Sequence, residues 1–451
     1  MNSMLRRAAV CIVLPASSLF AQSTPPPAEA PKPDRYLLLR CGTLLADAGK
    51  SPMKNATIVV KNDRIESVLG SLDGPDLTGE AKGGASVQEI DLRQKFVLPG
   101  LIDCHVHLTG EFTPDARLKA VVESDADVTV HTITNARKTL DAGFTTVRDL
   151  GAKGDAIFAV RDAIARGEII GPRILCAGKA ISITGGHMDP TNGYRADVWG
   201  VPDAAQGVAD GADECMKAVR TQIKRGADVI KIAATGGVLS ISAAGLAQHY
   251  TDPELAAIVK AAHAMGRKVA AHAHGTDGIN AALRAGIDSI EHASFQDDES
   301  IRLFKETKAW YVPTLLAGAT TVENSKRPGY YLPIVAKKAQ EVGPIMVQSF
   351  RKAHAAGVRI AFGTDTGVSP HGQNAREFAL MVGGGMTPSE AITCATIHAA
   401  QCLGIEKDVG TLEPGKAADV IAVDADPLKD VTELERVKFV MKGGTIVKGG
   451  K

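Results

Sequence analysis

Between residues 97 and 364 the chain repeats one unit: a short apolar run, a loop, then an amphipathic stretch. The apolar runs are 97–104, 145–150, 174–177, 229–232, 269–274, 289–293, 311–315 and 360–364. Several intervening stretches, such as TVHTITNARKTLDAG and ADECMKAVRTQIKRG, carry helical periodicity and stop at a glycine, which closes a helix in the left-handed conformation. Thr251 with Glu254 fits a capping box, and Pro253 sits where its missing N–H costs little. Eight strands alternating with helices predict a (β/α)8 TIM barrel. The competing open doubly wound sheet would carry a Gly-rich dinucleotide fingerprint after an early strand, and none is present.

The flanks read differently. Residues 36–96 alternate strand-like runs with turn pairs such as Asn62-Asp63 and Asp73-Gly74, and a similar signature returns in ADVIAVDADP and VKFVMKGGTIVKGG. We expect a small discontinuous β-sandwich from residues 36–96 and 409–451, closed beside a barrel spanning 97–408. The 451 residues would suggest about three domains at about 150 residues each. One large barrel with one smaller domain fits as well.

The N-terminus reads as a leader. Arg6 and Arg7 precede an apolar stretch broken by Pro15, Ser17 and Ser18, too short to span a bilayer, and Ala21 ends it. Residues 1–21 are expected to be a signal peptide and 22–35 a Pro-rich tether, which predicts a periplasmic or secreted protein without stable membrane insertion. Lysine plus arginine and aspartate plus glutamate both number 51, so no basic excess exists to hold nucleic acid. Of seven cysteines six follow the leader and none forms a CxxC pair; Cys104 and Cys176 read as buried small hydrophobes. A disulfide is permitted in an oxidising compartment but not needed by a core of this size.

Ionisable residues recur at the ends of the barrel strands, where such folds place their active sites. His105 and His107 are two apart and face the same way on a strand. Lys231 sits in the apolar run DVIKIAATGG, where an unpaired ammonium is costly. Its stem could snorkel to solvent, its amine could serve as a Schiff-base or general-base nitrogen, or CO2 could carbamylate it into a ligand that bridges two cations. Histidine-rich neighbours favour the third. Later runs end in Ala271-His272-Ala273-His274, Ile290-Glu291-His292 and Gly363-Thr364-Asp365. Singly, these are a core histidine, a surface pair and a helix cap. Together they point to a shared metal centre, with zinc the default among zinc, manganese, cobalt and nickel.

With PGLIDCHVH (99–107), VIKI (229–232), AHAHG (271–275), IEHA (290–293) and GTD (363–365), nearly the whole chain after the leader resembles the amidohydrolase superfamily. It looks most like the binuclear branch of prolidase-like and Xaa-Arg or Xaa-Lys dipeptidases and ochratoxin-hydrolysing amidohydrolases. The resemblance implies two divalent cations. His105, His107 and Asp365 would hold the more buried one, His272 and His292 the second, and Lys231 would bridge them as N6-carboxylysine. It implies Asp365 as general base, His187 facing the reacting carbonyl, and a homo-oligomer. It also implies hydrolysis of N-acyl or N-aminoacyl amino acids with a free carboxylate, with Tyr250, or instead His249, on that carboxylate. His274 and Tyr194 are further rim candidates. The loop TGGVLSISAAGLAQHY (235–250) fits a lid and holds no acidic residue, which favours apolar or aromatic leaving amino acids, including the phenylalanine amide ochratoxin A, over lysine or arginine. The alternatives are a cyclic-amide or imidazolone hydrolase, a lactonase, and an exported metal- or ligand-binding protein.

Overall fold

The computed structural model describes residues 33–241 and 245–450. The expected leader (1–21), most of the tether and residues 242–244 of the expected lid lie outside these.

Among the described residues fourteen strands build two structures. Seven of them, in the order β14-β13-β12-β4-β1-β2-β3, form one sheet from both ends of the chain. Its members are β1 (Arg35–Leu44), β2 (Met53–Lys61), β3 (Arg64–Leu69), β4 (Ser86–Pro99), β12 (Val420–Val423), β13 (Phe439–Lys442) and β14 (Thr445–Lys448). Strand alternation gives each a second face. Leu37, Leu39, Ile58, Ile90, Val420 and Phe439 share one core, so the sheet curls upon itself. Ile65 N donates to Lys416 O at 2.8 Å and Ala418 N to Asp63 O at 2.9 Å, which brings the far edge back beside the approach to β12. The result is the expected small β-sandwich. Phe96, Leu98, Ile421, Val423 and Val440 point the other way, into the barrel's core.

The barrel holds β5 (Leu101–Val106), β6 (Phe144–Asp149), β7 (Arg173–Cys176), β8 (Val229–Ala233), β9 (Lys268–Ala273), β10 (Ser289–His292) and β11 (Trp310–Val312), all parallel. They fall into a three-stranded and a four-stranded piece. Backbone bonds close the ring. On one side Asp228 N donates to Cys176 O at 2.9 Å, and Ile181 N to Lys231 O at 2.8 Å. On the other, segment 359–365 is the eighth stave: Tyr311 N donates to Arg359 O and Cys104 N to Phe362 O, both at 2.9 Å. This stave is too irregular to register as a strand. A Cβ on Gly363 would lie 2.3 Å from Val312 Cγ1 and 3.1 Å from His105 Cβ, so the backbone is squeezed between its neighbours.

Two strand bounds differ from expectation. Residues 97–99 belong to β4, and the barrel strand starts after Gly100, where a Cβ would sit 2.2 Å from Thr145 Oγ1. The run 311–315 stops at Val312, because Pro313 cannot donate to the ladder and the helix Leu315–Ser325 follows. Thr251 N and Oγ1 both bond Glu254 Oε2, at 2.7 and 2.8 Å, which caps the helix Asp252–Ala264 as expected. Cys41, Cys104, Cys176, Cys215, Cys394 and Cys402 are buried free thiols. Among the described residues no helix is long and apolar enough to cross a membrane.

Candidate metal centre

Two clusters of ligating atoms lie at the C-terminal ends of the barrel strands: His105, His107 and Asp365, and His272, His274 and His292. Within each, the ligating atoms lie within 4.8 Å of one another. The clusters adjoin, with the His105 and His292 ring centroids 5.3 Å apart.

Four of the five rings are aimed by what Nδ1 holds, and the fifth, His272, has only Nε2 at 3.4 Å from Gly236 O. His105 Nδ1 donates to Glu291 Oε2 at 2.9 Å, which leaves Nε2 facing Asp365 Oδ1 at 3.4 Å. His107 Nδ1 donates to Gly151 O at 2.8 Å, and its Nε2 lies 3.1 Å from Asp365 Oδ1. Thr314 Oγ1 spends its hydrogen on Pro313 O, so it accepts from His292 Nδ1 at 2.7 Å and leaves Nε2 free. His274 Nδ1 is 2.7 Å from Ser294 Oγ. Burial pushes His105 down to about 4 and His274 down to about 3. Neutral imidazoles are the form a cation requires. Asp365 is held well below the usual carboxylate range: burial works against this, and the His105 and His107 rings overcome it.

The backbone is strained where it presents these groups. His292 (φ 71°), Thr314 (φ 49°) and Asp365 (φ 56°) all occupy the left-handed region. Non-glycine residues stay there only when their surroundings over-determine them, at a cost of order 1–3 kcal/mol each.

Lys231, in the middle of β8, is 1 % exposed and its Nζ has no hydrogen-bond partner among the described residues. Burial pulls it down to about 8, against the Glu291 and Asp365 carboxylates. Snorkelling is thereby excluded. A buried amine without a partner, beside converging imidazole nitrogens and one carboxylate, fits the bridging position between two cations, since a carboxylated amine would gain partners that the free amine lacks.

Beneath this layer lies a second that the sequence reading missed. Glu291, read there as half of a surface pair, is fully buried and accepts from Arg148 Nη2 at 3.0 Å and Ser289 Oγ at 2.7 Å besides His105. Burial would raise its carboxyl; Arg148 and His105 overcome that and hold it down to about 2. Asp103 accepts from the backbone of His105 and Thr364 and from Asn374 Nδ2, at 3.0, 3.1 and 2.8 Å, and so ties β5 to the eighth stave. Arg148 in the apolar run FTTVRDL was the available signal, a strand charge as conspicuous as Lys231.

A cavity of about 120 Å³ opens above the clusters. His187 and His274 line it, and the His187 ring stacks on His272 at 4.1 Å with its Nδ1 buried and, among the described residues, unpartnered. Val238 and Leu239 line it from the described part of the lid, and the facing wall is Ala317, Gly318, Thr321, Val342, Gly343 and Met346. These come from the helices Leu315–Ser325 and Pro333–Ala355, which sequence reading left unassigned. The Gly343-Pro344 pair inside a helix was the one local mark of a functional wall.

Three expected substrate contacts are not there. Tyr250 is 1 % exposed and packs in the barrel core, with no partner for its hydroxyl. The bridge of Thr235 with Gln248 makes this stretch extended, so Tyr250 and His249 point oppositely. His249 lies behind the backbone of Gly236, whose Cβ would meet His249 Nε2 at 3.5 Å, and is not part of the cavity lining. Tyr194 is exposed on another loop, its ring against Trp199 at 4.6 Å and under the Arg117 guanidinium.

A barrel with histidines, a lysine and an aspartate at these strand ends defines a metal-dependent hydrolase site. Residues 96–447 match the amidohydrolase family, and the chain belongs to it. Its reaction class is amide-bond hydrolysis. Ochratoxinase of Aspergillus niger is 34 % identical over 443 residues, covering 92 % of this chain and 87 % of its own. A crystal structure of a Xaa-Pro dipeptidase with bound methionine is 41 % identical with a TM-score of 0.87, covering 92 % of this chain and all of its own. A prolidase complexed with N-methylphosphonate-L-proline is 30 % identical with a TM-score of 0.82, covering 92 % and 99 %.

Proposed function

We propose that the chain is a binuclear-metal amidohydrolase cleaving the amide bond of N-acyl or N-aminoacyl L-amino acids that carry a free C-terminal carboxylate. The observation that carries this is the buried, unpartnered Lys231 amine, whose charge acts on His105 of one ligand cluster and on His272 and His292 of the other, beneath a cavity that both clusters line. His105, His107 and Asp365 would hold one divalent cation and His272 and His292 the other, with zinc the default and Lys231 as N6-carboxylysine between them. When bound, such cations polarise a carbonyl and make water acidic near neutral pH.

The chain's own groups do the rest. Asp365 accepts a proton from the attacking water and returns it to the leaving nitrogen. His187, kept neutral because burial pushes it down to about 3, has a ring nitrogen free to donate to the carbonyl oxygen as charge gathers there. The apolar wall receives an apolar or aromatic side chain, as in ochratoxin A, and the relatives named for ochratoxin and Xaa-Pro substrates support this class. The charged-then-apolar N-terminus supports export to the periplasm or beyond, and we expect a homo-oligomer.

The test is a panel of N-acetyl amino acids and dipeptides, run with metal-loaded and chelator-stripped protein. C-terminal phenylalanine and leucine should be hydrolysed fastest, and only by the loaded protein. Equal or faster turnover of C-terminal lysine or arginine overturns the side-chain preference. Elemental analysis at no more than one metal per chain after full reconstitution overturns the binuclear reading.

A further inference from the structure

With Tyr250, His249 and Tyr194 away from the cavity, its described lining holds no lysine, arginine or tyrosine. A substrate carboxylate therefore needs its counter-charge from the rim. Lys338 is there. It lies one turn before Val342 on the helix Pro333–Ala355, so the two share a face, and Val342 lines the cavity. Its half-buried Nζ donates to Gly237 O at 2.6 Å and to Ser240 O at 2.7 Å. Those carbonyls bracket Val238 and Leu239, which line the opposite side of the mouth.

An ammonium has three N–H donors, and two carbonyls leave one unspent. They also leave its charge uncompensated: among the described residues no carboxylate lies within ion-pair distance of Lys338, and burial alone acts on it, drawing it below the usual lysine range. Its charge reaches the His274 ring inside the cavity. Arg117, in the helix Ala116–Val122, and Arg195 are engaged elsewhere, with Tyr194 and with Asp197.

We propose that Lys338 is the cation that reads the substrate's C-terminal carboxylate, held at the cavity mouth by the Gly237 and Ser240 carbonyls; this rests on the reading of the substrate as an N-acyl amino acid. The same two bonds pin the lid's first turn. That turn bears on the metal end, because a Cβ on Gly237 would lie 2.2 Å from the His187 ring.

The experiment compares N-acetyl-L-phenylalanine with N-acetylphenethylamine, the same amide without the carboxylate, on the metal-loaded full chain, reading acetate release. The readout is the acid-over-amine preference in kcat/KM for wild type, Lys338→Met and Lys338→Arg. That preference should fall about ten- to hundredfold in K338M, the size of one charge-assisted hydrogen bond, chiefly through KM. It should largely survive in K338R. Equal losses on both substrates in K338M would mean that Lys338 only anchors the lid, and an unchanged preference that it contacts nothing; each overturns the proposal while leaving the amidohydrolase reading intact. Failure of wild type to release acetate from either compound overturns that reading and the role of Lys338 with it.

Discussion

The two sides of the cavity are built on different physics. The strand side is polar, buried and aimed: each metal-facing imidazole whose second nitrogen is engaged is fixed by a carboxylate, a carbonyl or a hydroxyl, and strained backbone at His292 and Asp365 presents the groups. The helix side is apolar where it faces the cavity, and close helix packing sets its shape. Gly318 and Gly343 let two helices approach so closely that a Cβ on Gly343 would sit 2.3 Å from Val322 Cγ2. The strand side can set which bond breaks, and the helix side which molecule presents it. Changes on the first should abolish chemistry; changes on the second should redistribute it among substrates.

The largest effect should come from Asp365→Asn. The amide keeps the shape and loses the proton acceptor, so kcat on N-acetylphenylalanine should drop about a hundred- to ten-thousand-fold with most metal retained by elemental analysis. Retained turnover would break the assignment of roles to the two sides. Next is Glu291→Gln, which touches no substrate. It leaves the Arg148 guanidinium, 2 % exposed, without its countercharge. Removing one partner of a buried pair costs about 3–5 kcal/mol, to be read as a lowered melting transition. The freed His105 ring should weaken metal binding about ten- to hundredfold in a chelator competition.

The same contrast explains what could be read from the sequence. Strands alternate every two residues, and a charge in an apolar run needs a reason, so His105, His107, Lys231, His272, His292 and Asp365 stood out and the structure does bring them together. The barrel was legible from the spacing of the same runs, and the curled sheet from the turn-punctuated alternation in the two flanks. Glu291 was not, because its neighbour His292 carries the visible signal and only tertiary pairing with Arg148 and His105 shows that Glu291 is buried with it. His274 was expected at the rim, yet its ring joins His272 and His292 at 4.7 and 5.0 Å between centroids. Tyr250 misled for a local reason: the bridge at Thr235 and Gln248 sets the side on which it falls, and that bridge has no mark in the sequence. The helix wall was illegible because lining a cavity and filling a core call for the same apolar residues.

Gly318→Ala tests the helix side directly. The new Cβ would meet Met346 Sδ at 2.8 Å, and Met346 is flexible and lines the cavity, so the thioether should swing toward the substrate. A loss of about tenfold in kcat/KM for N-acetylphenylalanine relative to N-acetylalanine is expected, the scale at which a pocket senses a methylene. Equal losses on both would mean that the wall does not set size.

The smallest effect compares how the two sides hold their rims. On the strand side Glu111 Oε1 accepts from His371 N at 2.9 Å and Nδ1 at 3.0 Å, and these bonds from His371 hold its carboxyl down to about 2. A carboxyl lowered in the folded state contributes stability that is complete above its ordinary value near 4.5 and is lost as pH falls toward 2. Glu111→Gln should therefore melt slightly below wild type at neutral pH, with the gap closing through that window. On the helix side, Lys338 holds two carbonyls that do not titrate, and its ammonium stays charged throughout. Any deficit of K338M should stay constant over the same range. A deficit of Glu111→Gln that is equally flat would show that the strand-side rim, like the Lys338 contacts, is held by bonds that do not titrate over this range.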